Sequence, residues 1–362
     1  MPDSSDFSSD LNVIQERKKE GILIPLTRDV QAKRTSNYLE HVKLIHNALP
    51  ELDYESVETS CNFLGHKLSA PIIIDCMTGG TAEAIKINSR LGQLAEKFGL
   101  AMGLGSQRAG LRSVQLAETY AVARNEAPSA FLIANIGGAQ LSKGMTIDEI
   151  TRIIEMIKAD ALAIHLNPLQ ELVQPEGEPK YKGVLDRIKE ITEAFDLPII
   201  VKEVGAGISK EVGERLELAG VSAINIAGSG GTSWAGVEKL RAESASNSIK
   251  TKLGELFWDW GIPTALSLIQ VRRAVKIPVI ASGGLRDGME VSKCLVLGAD
   301  ACGMAFPFLK KAAESLNGLY SFTESLIAQL KATMFLVGAQ KLGDLRSVRY
   351  TLTGPLKEEL SV

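Results

Sequence analysis

The strongest constraint on the fold is a rhythm of short apolar runs that recurs along most of the chain. Eight β-rich runs follow one another, most of them at intervals of roughly 25 to 35 residues, the length of one strand–helix unit. Near-continuous apolar runs are typical of parallel strands that are covered on both faces. The predicted strands are Pro71–Cys76, Leu100–Leu104, Phe131–Ile136, Ala161–Leu166, Pro198–Val204, Ala223–Ala227, Pro278–Ala281 and Ala301–Met304.

Helix-period stretches separate these runs, and one of them carries a clear start signal. Thr146 precedes the helical pattern of residues 147–159, and Glu149 follows three residues later, which predicts a capping box. Eight strand–helix units predict an α/β fold, a closed (β/α)8 barrel of the TIM type. A doubly wound open sheet is the alternative, but eight similar repeats with glycines after most strands favour closure.

The ends of the chain lie outside this rhythm and define the domain organisation. Residues 1–12 begin with a stretch rich in Ser and Asp, which predicts a disordered tail. A single barrel domain over 13–350 follows, and it begins with an N-terminal extension at 13–70. Residues 351–362 are predicted to form a C-terminal tail.

Two further segments do not fit a simple repeat. The gap between Gly231 and Pro278 is too long for one unit, which predicts a long loop insertion after strand 6 at 233–261. This loop is either a mobile lid over the barrel mouth or a solvated surface excursion. The stretch from Ala312 to Val337 predicts a helix that packs outside the barrel or against a partner subunit.

Charge and cysteine usage exclude several classes of protein. The net charge of −3 gives no global basic field that would attract nucleic acid or an anionic membrane. The four cysteines have no CxxC spacing, and Cys76 and Cys302 lie inside apolar runs, which predicts buried thiols rather than a disulfide or zinc framework. No targeting signal or apolar run of transmembrane length is present. The expected location is the cytoplasm.

The densest polar cluster follows the fourth predicted strand. His165, Asn167, Gln170 and Glu171 supply a switchable base, two amides and a carboxylate within seven residues. Parallel barrels build their active sites at the carboxyl ends of their strands. An ordinary solvated loop is the alternative, and the repetition of polar groups after other strands argues against it.

Polar groups or glycines follow the other strands in the same way. They are Thr78, Gly79 and Gly80, which follow Met77 after strand 1, Ser106 and Arg108 after strand 2, Asn135 in strand 3, Lys202 in strand 5, Thr232 after strand 6, Gly283, Gly284 and Arg286 after strand 7, and Gly303, with Met304 and Ala305 behind it, at strand 8. Glycine turns after strands 7 and 8 are the usual phosphate cradle of this barrel. A lysine can offset negative charge on a flavin ring. The pattern predicts flavin mononucleotide (FMN), with a sugar phosphate as the alternative.

A second group of cations indicates an anionic substrate. Arg17 and Lys18, together with Arg108 and His165, carry more positive charge than one flavin phosphate requires, which predicts a diphosphate substrate. A solvated helix face is the alternative for the first pair. The turn after strand 7 carries no His-x-x-Arg pair and no GxGxxG follows the first strand, which argues against a flavin oxidase and against nicotinamide binding.

Five ordered motifs in the chain resemble one family, the flavin-dependent type 2 isopentenyl-diphosphate isomerases. The motifs are Met77-Thr78-Gly79-Gly80, Gly105-Ser106-Gln107-Arg108, His165-Leu166-Asn167-Pro168-Leu169-Gln170-Glu171, Val201-Lys202-Glu203-Val204-Gly205 and Ser282-Gly283-Gly284. The similarity extends from about residue 13 to 350. Five motifs in order on one barrel make a chance match improbable.

This resemblance implies interconversion of isopentenyl and dimethylallyl diphosphate in isoprenoid biosynthesis, with reduced FMN, Mg²⁺ and NADPH as the reductant. It implies flavin contacts at Met77, Thr78, Gly79, Ser106, Asn135, Lys202 and Thr232, and phosphate contacts at Gly283, Gly284, Arg286, Ala305 and Phe306. It implies substrate contacts at Arg17, Lys18, Ser106, Arg108, His165, Asn167 and Gln170, and a metal ligand at Glu171. It also implies a homo-oligomer, either a tetramer or an octamer.

The mechanism that we expect is an allylic proton shift without net redox change. Reduced flavin stabilises the cation that forms and acts as the main acid and base, while Lys202 stabilises negative charge on the ring. Glu171 holds Mg²⁺ on the diphosphate, His165 positions the substrate, and Gln170 has a secondary role as a proton relay. The alternatives are a flavin-dependent hydroxy-acid oxidase or dehydrogenase, and a catalytically silent flavin- or phosphate-binding barrel.

One position departs from the family. The family motif Arg-Lys-x-Glu-His reads Arg17-Lys18-Lys19-Glu20-Gly21 here, so the expected diphosphate-binding histidine is absent. Either Lys19 or His41 compensates, or the grip on the diphosphate is weaker, or the true alignment is shifted.

Overall fold

Eight parallel strands close into a barrel in the computed structural model, which describes residues 4–361, with side chains from residue 15 onward. Neighbours in the barrel follow chain order, and the eighth strand pairs with the first. The barrel strands are Ile72–Ile74 (β1), Ala101–Gly103 (β2), Leu132–Gly137 (β3), Ala161–His165 (β4), Ile199–Lys202 (β5), Ala223–Asn225 (β6), Val279–Ser282 (β7) and Ala301–Met304 (β8). The predicted (β/α)8 barrel is confirmed, and each strand falls within or beside its predicted run.

The strands are apolar throughout because both of their faces are buried. Ile73 points into the barrel interior, whereas Ile72 and Ile74 on either side of it pack against the outer helices. This alternation gives two cores, one inside the barrel and one between barrel and helices. A hairpin of Cys61–Phe63 and His66–Leu68 adds Phe63 and Leu68 to the interior core.

Helices surround the barrel. The longer ones between and after the strands are Ala82–Phe98, Val114–Glu126, Ile147–Met156, Val184–Ala194, Lys210–Leu218, Thr264–Ala274, Gly288–Val296 and Phe306–Glu314. Shorter pieces are the helices Gly138–Leu141 and Pro168–Val173 and the 3-10 turns Leu39–His41, Tyr54–Ser56, Gln107–Leu111 and Leu342–Ser347. The capping box is confirmed, because the Thr146 N–H donates to the Glu149 carboxylate at 2.9 Å and the Glu149 N–H donates to the Thr146 hydroxyl at 3.2 Å.

The insertion after β6 is a pair of helices, Trp234–Ser244 and Ser248–Leu256, that pack against each other. The predicted long insertion at 233–261 is present, but most of it is helical rather than a loop, and its movement as a lid stays a prediction. Trp258 explains the order, because its side chain is only 7% exposed and packs on Gly236, where an added Cβ would lie 2.8 Å from the ring. The indole Nε1 of Trp258 also donates to the Gln31 carbonyl at 2.9 Å, so the buried tryptophan ties the two insertion helices to the segment that follows the first helix.

Both ends of the chain are more structured than the composition indicated. The first helix is Ser4–Thr27, so most of the predicted disordered tail at 1–12 is helical, and residues 1–3 lie outside the described part of the chain. Extending an existing helix requires much less free energy than nucleating one. Strand Tyr350–Leu352 pairs antiparallel with Val42–Leu44, and helix Gly354–Glu359 buries Leu356, so the segment at 351–361 does not trail freely.

The remaining expectations concern the outer helix, the thiols and membrane spans. Helix Leu316–Leu336 packs outside the barrel on Gly288–Val296 and Phe306–Glu314, as predicted for Ala312–Val337. All four cysteines are free thiols; Cys294 and Cys302 are buried and Cys76 is half-buried. Between residues 4 and 361 the chain has no helix with the length and apolar character needed to cross a membrane.

Candidate functional site

A cavity at the carboxyl end of the barrel brings together nearly all the predicted site residues. The predicted residues that line it are Arg17, Lys18, Met77, Thr78, Gly79, Ser106, Asn135, His165, Asn167, Gln170, Glu171, Lys202, Thr232, Gly283, Gly284, Arg286, Ala305 and Phe306. Arg108 is half-buried and does not line the cavity, but its charge is close enough to lower the pKa of Lys18. The cavity has one side made of strand ends and another made of side chains from helices.

Glycine turns after β6 and β7 form the first side. Gly284 has a φ of +76°, and an added Cβ there would lie 2.6 Å from the Gly230 carbonyl oxygen. An added Cβ at Gly231 would lie 2.5 Å from the Gly284 nitrogen. The two turns therefore pack backbone against backbone, and only glycine fits. Arg286 lies beside them, with its guanidinium 5.7 Å from the Phe306 ring. Bare backbone and an arginine at the ends of two strands fit a phosphate group.

Lys202 lies under this side of the cavity in a buried polar network. Its Nζ is 3.7 Å from Oδ1 of Asp75 and donates to the Glu203 carbonyl at 2.9 Å. Asn225 donates to Oδ2 of Asp75 at 3.1 Å, and Ser282 donates to Asn225 at 2.6 Å. The ends of β5, β6 and β7 and the residue after β1 thus fix one cation at the cavity. Such a cation can hold negative charge on a bound ring.

Lys18 on the first helix reaches across the mouth of the cavity. Its Nζ donates to the Ser106 carbonyl at 2.8 Å, and Tyr120 donates to the same oxygen at 2.8 Å. Burial, and then the charges of Arg17 and Arg108, lower the pKa of Lys18 to about 7. Cations clustered in this way can bind an anion between them.

His165 ends β4 between the two sides. Its Nδ1 is 2.8 Å from Oδ1 of Asn135, whose amide nitrogen donates to the Leu104 carbonyl at 3.0 Å. Burial, followed by the positive charges of Lys202, Lys18 and Arg17, lowers the pKa of His165 to about 3. The imidazole is therefore neutral at neutral pH and gains a proton only if an anion offsets the surrounding cations.

Hydrogen bonds fix the orientation of the polar groups after β4. Oε1 of Gln170 accepts from Asn167 at 3.0 Å, and Nε2 of Gln170 donates to Oε1 of Glu238 at 2.9 Å. Tyr181 donates to Oδ1 of Asn167 at 2.8 Å. Burial raises the pKa of Glu238, so this carboxyl group can carry a proton closer to neutral pH than an exposed one. The amide of Gln170 connects the cavity to a buried acid.

A metal ion would depend on Glu171. Its Oε2 accepts from the Glu178 N–H at 3.0 Å, and the residue is 6% exposed. Within residues 4–361, no group of three or more His, Cys, Asp or Glu side chains is placed to hold a metal. A single carboxylate fits Mg²⁺, which typically takes one or two protein carboxylates together with phosphate oxygens and water.

Sequence reasoning missed two carboxylates of this site. Asp75, the partner of Lys202, was counted as part of an apolar strand, although a charged residue at the end of Ile72–Ile74 is a usable signal. Glu238 follows the glycine turn after β6 by several residues and lies on an insertion helix that we predicted as a loop. Nothing in its local sequence distinguishes it from a surface glutamate.

Gly21 lines the cavity, and an added Cβ would lie 3.9 Å from the Trp234 ring. Lys19 forms an exposed ion pair with Glu83, and His41 lies beside Glu40. Neither Lys19 nor His41 lines the cavity, which argues against compensation by either residue. Arg17, Lys18 and Gly21 all face the cavity, which argues against a shifted alignment.

Comparisons with a family model and with solved structures agree on the fold. A family model described as FMN-dependent dehydrogenase matches residues 178–351. A mandelate oxidase variant with an FMN adduct is 18% identical with a TM-score of 0.62, over 95% of this chain and 100% of that one. A putative lactate oxidase from Pediococcus acidilactici is 17% identical with a TM-score of 0.64, over 95% and 94%. These structures share the fold.

Comparisons of sequence find much closer relatives. Proteins named isopentenyl-diphosphate delta-isomerase match almost the full length. The one from Nostoc sp. is 48% identical over 340 residues, 94% of this chain and 96% of the relative. The one from Methanothermobacter thermautotrophicus is 45% identical over 349 residues, 96% of each. The one from Pyrococcus abyssi is 45% identical over 352 residues, 95% and 94%.

Proposed function

This chain belongs to the isopentenyl-diphosphate delta-isomerase family, and we propose that it interconverts isopentenyl and dimethylallyl diphosphate with reduced FMN and Mg²⁺. The observation that carries the proposal is the pairing of two anion sites across one cavity. The glycine turns with Arg286 form the first site, and Lys18 with His165 forms the second. A flavin phosphate and a substrate diphosphate fit these two sites, which would place the hydrocarbon chain of the substrate between them.

FMN fits the strand-end side of the cavity. Gly283, Gly284 and Arg286 would hold its phosphate, and Lys202 would face its ring. When bound and reduced, flavin supplies an electron-rich ring that stabilises positive charge and carries protons at its nitrogens. The buried pair with Asp75 keeps the Lys202 ammonium in place without leaving its charge unbalanced.

The diphosphate fits the side formed by the first helix and the segment after β4. Arg17, Lys18 and the nearby Arg108 would neutralise it, and Asn167 would orient it by hydrogen bonds. An anion among these cations raises the pKa of Lys18 and of His165, so both hold protons more firmly once substrate is bound. Binding of the diphosphate by these residues positions the alkene but does not itself transfer a proton.

The proton shift adds hydrogen at one carbon and removes it two bonds away. Gln170 lies in the cavity with its amide bonded to Glu238, a carboxyl group whose pKa is raised by burial. We assign Gln170 the role of orienting the reacting end of the substrate and Glu238 the role of holding a proton beside it. Trp234 and Ile22 line the same cavity and give it an apolar surface that suits the hydrocarbon chain.

Glu171 supports the Mg²⁺ part of the proposal. We expect Glu171→Gln to raise the Mg²⁺ concentration for half-maximal activity by about ten- to a hundredfold, because the neutral amide is a weaker ligand. A Mg²⁺ titration of initial rates measures this, with Glu178→Gln as the control, because only its backbone N–H contacts Glu171. An unchanged Mg²⁺ requirement removes Glu171 as the ligand.

Reductant, location and assembly are also part of the proposal. NADPH would reduce the flavin. The four free thiols fit a location in the reducing cytoplasm. We also propose a homo-oligomer, supported by exposed apolar side chains on the insertion, since Ile249 and Leu256 are each 73% exposed. Light scattering of the purified protein measures the number of subunits.

The deciding experiment is turnover of isopentenyl diphosphate by protein loaded with FMN and Mg²⁺ under anaerobic conditions. We expect dimethylallyl diphosphate only when the flavin is reduced, with no stoichiometric loss of reductant. Lactate and mandelate serve as controls for hydroxy-acid oxidation. Flavin reduction by either acid would favour an oxidase, whereas bound flavin with no turnover of any of these compounds would favour a silent binding barrel.

A further inference from the structure

One buried arginine outside the cavity holds three carboxylates. The Arg241 side chain is 9% exposed and contacts Glu20, Glu238 and Glu176. Its Nε donates to Glu20 at 2.6 Å, Nη1 donates to Glu238 at 2.7 Å and Nη2 donates to Glu176 at 2.9 Å. All three nitrogens of the guanidinium donate to carboxylates, and Nη1 also reaches Glu176 at 3.3 Å, which is a geometry that arginine provides and lysine does not.

These carboxylates lie on three separate elements, and each element brings other residues to the cavity. Glu20 is two residues from Lys18 on the helix Ser4–Thr27. Glu176 follows the helix Pro168–Val173, which carries Gln170 and Glu171. Glu238 lies on Trp234–Ser244 and accepts directly from Gln170. None of the three elements is a barrel strand, so the barrel by itself does not fix their relative positions.

We propose that Arg241 is a positioning residue that fastens the diphosphate-binding helix and the segment after β4 to Glu238. It sets the separation between the Lys18 side of the cavity and the Gln170–Glu238 pair. Arg241 does not line the cavity, so it acts through the residues that do. The assignment of what those residues bind rests on the proposed function, whereas the fastening itself does not.

Removing the arginine has an electrostatic consequence as well as a mechanical one. The charged and polar groups that face Glu238 are Arg241 and Glu176, with Gln170 bonded to it. Burial raises the pKa of Glu238 and so does Glu176, whereas Arg241 lowers it. Loss of the Arg241 charge must therefore raise the pKa of Glu238 further.

The test compares Glu20→Gln, Arg241→Lys and Arg241→Gln with Lys239→Gln as a matched control. Lys239 lies on the same helix and pairs with Glu243 and Glu255, away from the three carboxylates. Each FMN-loaded variant is assayed for kcat and KM with isopentenyl diphosphate across pH. Inorganic diphosphate binding by calorimetry, and hydrogen exchange of residues 15–27, are measured on the same samples.

We expect Glu20→Gln to cut only the link to the first helix. KM and the Kd for inorganic diphosphate should rise about tenfold, the loss of one charge-assisted bond, with kcat within about twofold of wild type. Exchange in residues 15–27 should become faster. Arg241→Gln should have the same effects and should also lower kcat. In the pH profile of kcat, the apparent pKa that lies below pH 8 should rise by about one unit.

Compared with Arg241→Gln, Arg241→Lys should restore the pH profile but not KM. An ammonium group keeps the positive charge, but it cannot reach the three carboxylates as the planar guanidinium does. Two outcomes overturn the proposal: Arg241→Gln and Glu20→Gln behaving like Lys239→Gln, or all variants losing stability without a change in KM, exchange or pH profile. A wild-type protein without turnover refutes the proposed function. The exchange and calorimetry data would then still decide the role of Arg241.

Discussion

The two sides of the cavity are built in different ways. The flavin side consists of strand ends and glycine turns, and its shape is set by backbone atoms such as those of Gly231 and Gly284. The substrate side consists of long charged side chains on helices, such as Lys18 and Glu238, held together by ion pairs through Arg241. The backbone of the barrel fixes the shape of the flavin side, whereas a few charge-assisted contacts hold the side chains of the substrate side in place.

This difference matches the different binding requirements of the cofactor and the substrate. A cofactor that stays bound through many turnovers suits a preformed cradle whose cost was met when the barrel folded. A substrate that enters and leaves at each turnover suits an element outside the barrel, and the helix Ser4–Thr27 is attached through Lys18, Glu20 and the buried Ile22, none of which lies on a barrel strand. Variants on the two sides should therefore fail in different measurements.

The largest effect should come from Lys202, the cation on the rigid side. Lys202→Met leaves the Asp75 carboxylate buried without its partner, which should lower the free energy of unfolding by about 3–5 kcal/mol. Denaturant unfolding of the FMN-free protein measures this. The double variant with Asp75→Asn is the control, and it should recover most of the loss. A single variant as stable as wild type would mean that the pair contributes nothing.

The next largest effect concerns Lys18 on the substrate side. Because its pKa is about 7 before the anion binds, binding above that pH requires proton uptake, and KM should rise by up to about tenfold per pH unit. Lys18→Met should raise KM by about ten- to a hundredfold at pH 6 and remove this dependence. Initial rates from pH 6 to pH 9 measure both.

The variant Lys18→Arg distinguishes titration of the enzyme from titration of the substrate in this experiment. Arginine stays charged throughout the range, so any remaining dependence belongs to titration of the diphosphate itself. If wild type and Lys18→Arg give the same profile, the titration of Lys18 does not control binding.

Gly284 tests the rigid side without changing charge. Gly284→Ala forces a Cβ to within 2.6 Å of the Gly230 carbonyl at a φ of +76°, which should lower the free energy of unfolding by about 1–3 kcal/mol and weaken FMN binding. KM for the substrate should change little once FMN is saturating. Gly343→Ala is the control, because an added Cβ there meets no atom within 4 Å.

The smallest effect concerns His165 and acid. Its folded pKa of about 3 lies below the ordinary value of 6.5, so between these values the unfolded state binds more protons and stability falls as pH falls. Between pH 7 and pH 5.5, wild type should lose about 1 kcal/mol more than His165→Asn. Urea unfolding at both pH values measures the difference. Parallel losses in the two proteins would show that the histidine is not responsible.

The flavin side could be predicted because its determinants are local in sequence. Strand periodicity placed all eight barrel strands, and paired glycines after β7 marked the cradle at Gly283 and Gly284. The substrate side could be predicted only as a set of residues, because its geometry depends on contacts across long stretches of chain. Arg241 and Glu20 are separated by 221 positions, and no local pattern in either segment indicates the other.

The same reason explains the errors at the ends and in the insertion. A Ser- and Asp-rich start indicates disorder only if nothing fixes the helix that follows it, and that helix is fixed by Lys18 and Glu20. The insertion was read as a loop because the contact of Trp258 with Gly236 is a tertiary feature. Composition cannot report such docking.

The antiparallel pair of Val42–Leu44 with Tyr350–Leu352 has a consequence for how the protein is made. A ribosome releases the first of these strands long before the second, and all eight barrel strands are synthesised in between. The same holds for the first helix, whose partner Arg241 appears only after six barrel strands. The barrel can close only after β8 has been made, and the pair of Val42–Leu44 with Tyr350–Leu352 forms later still, which makes catalytic competence a late event in translation.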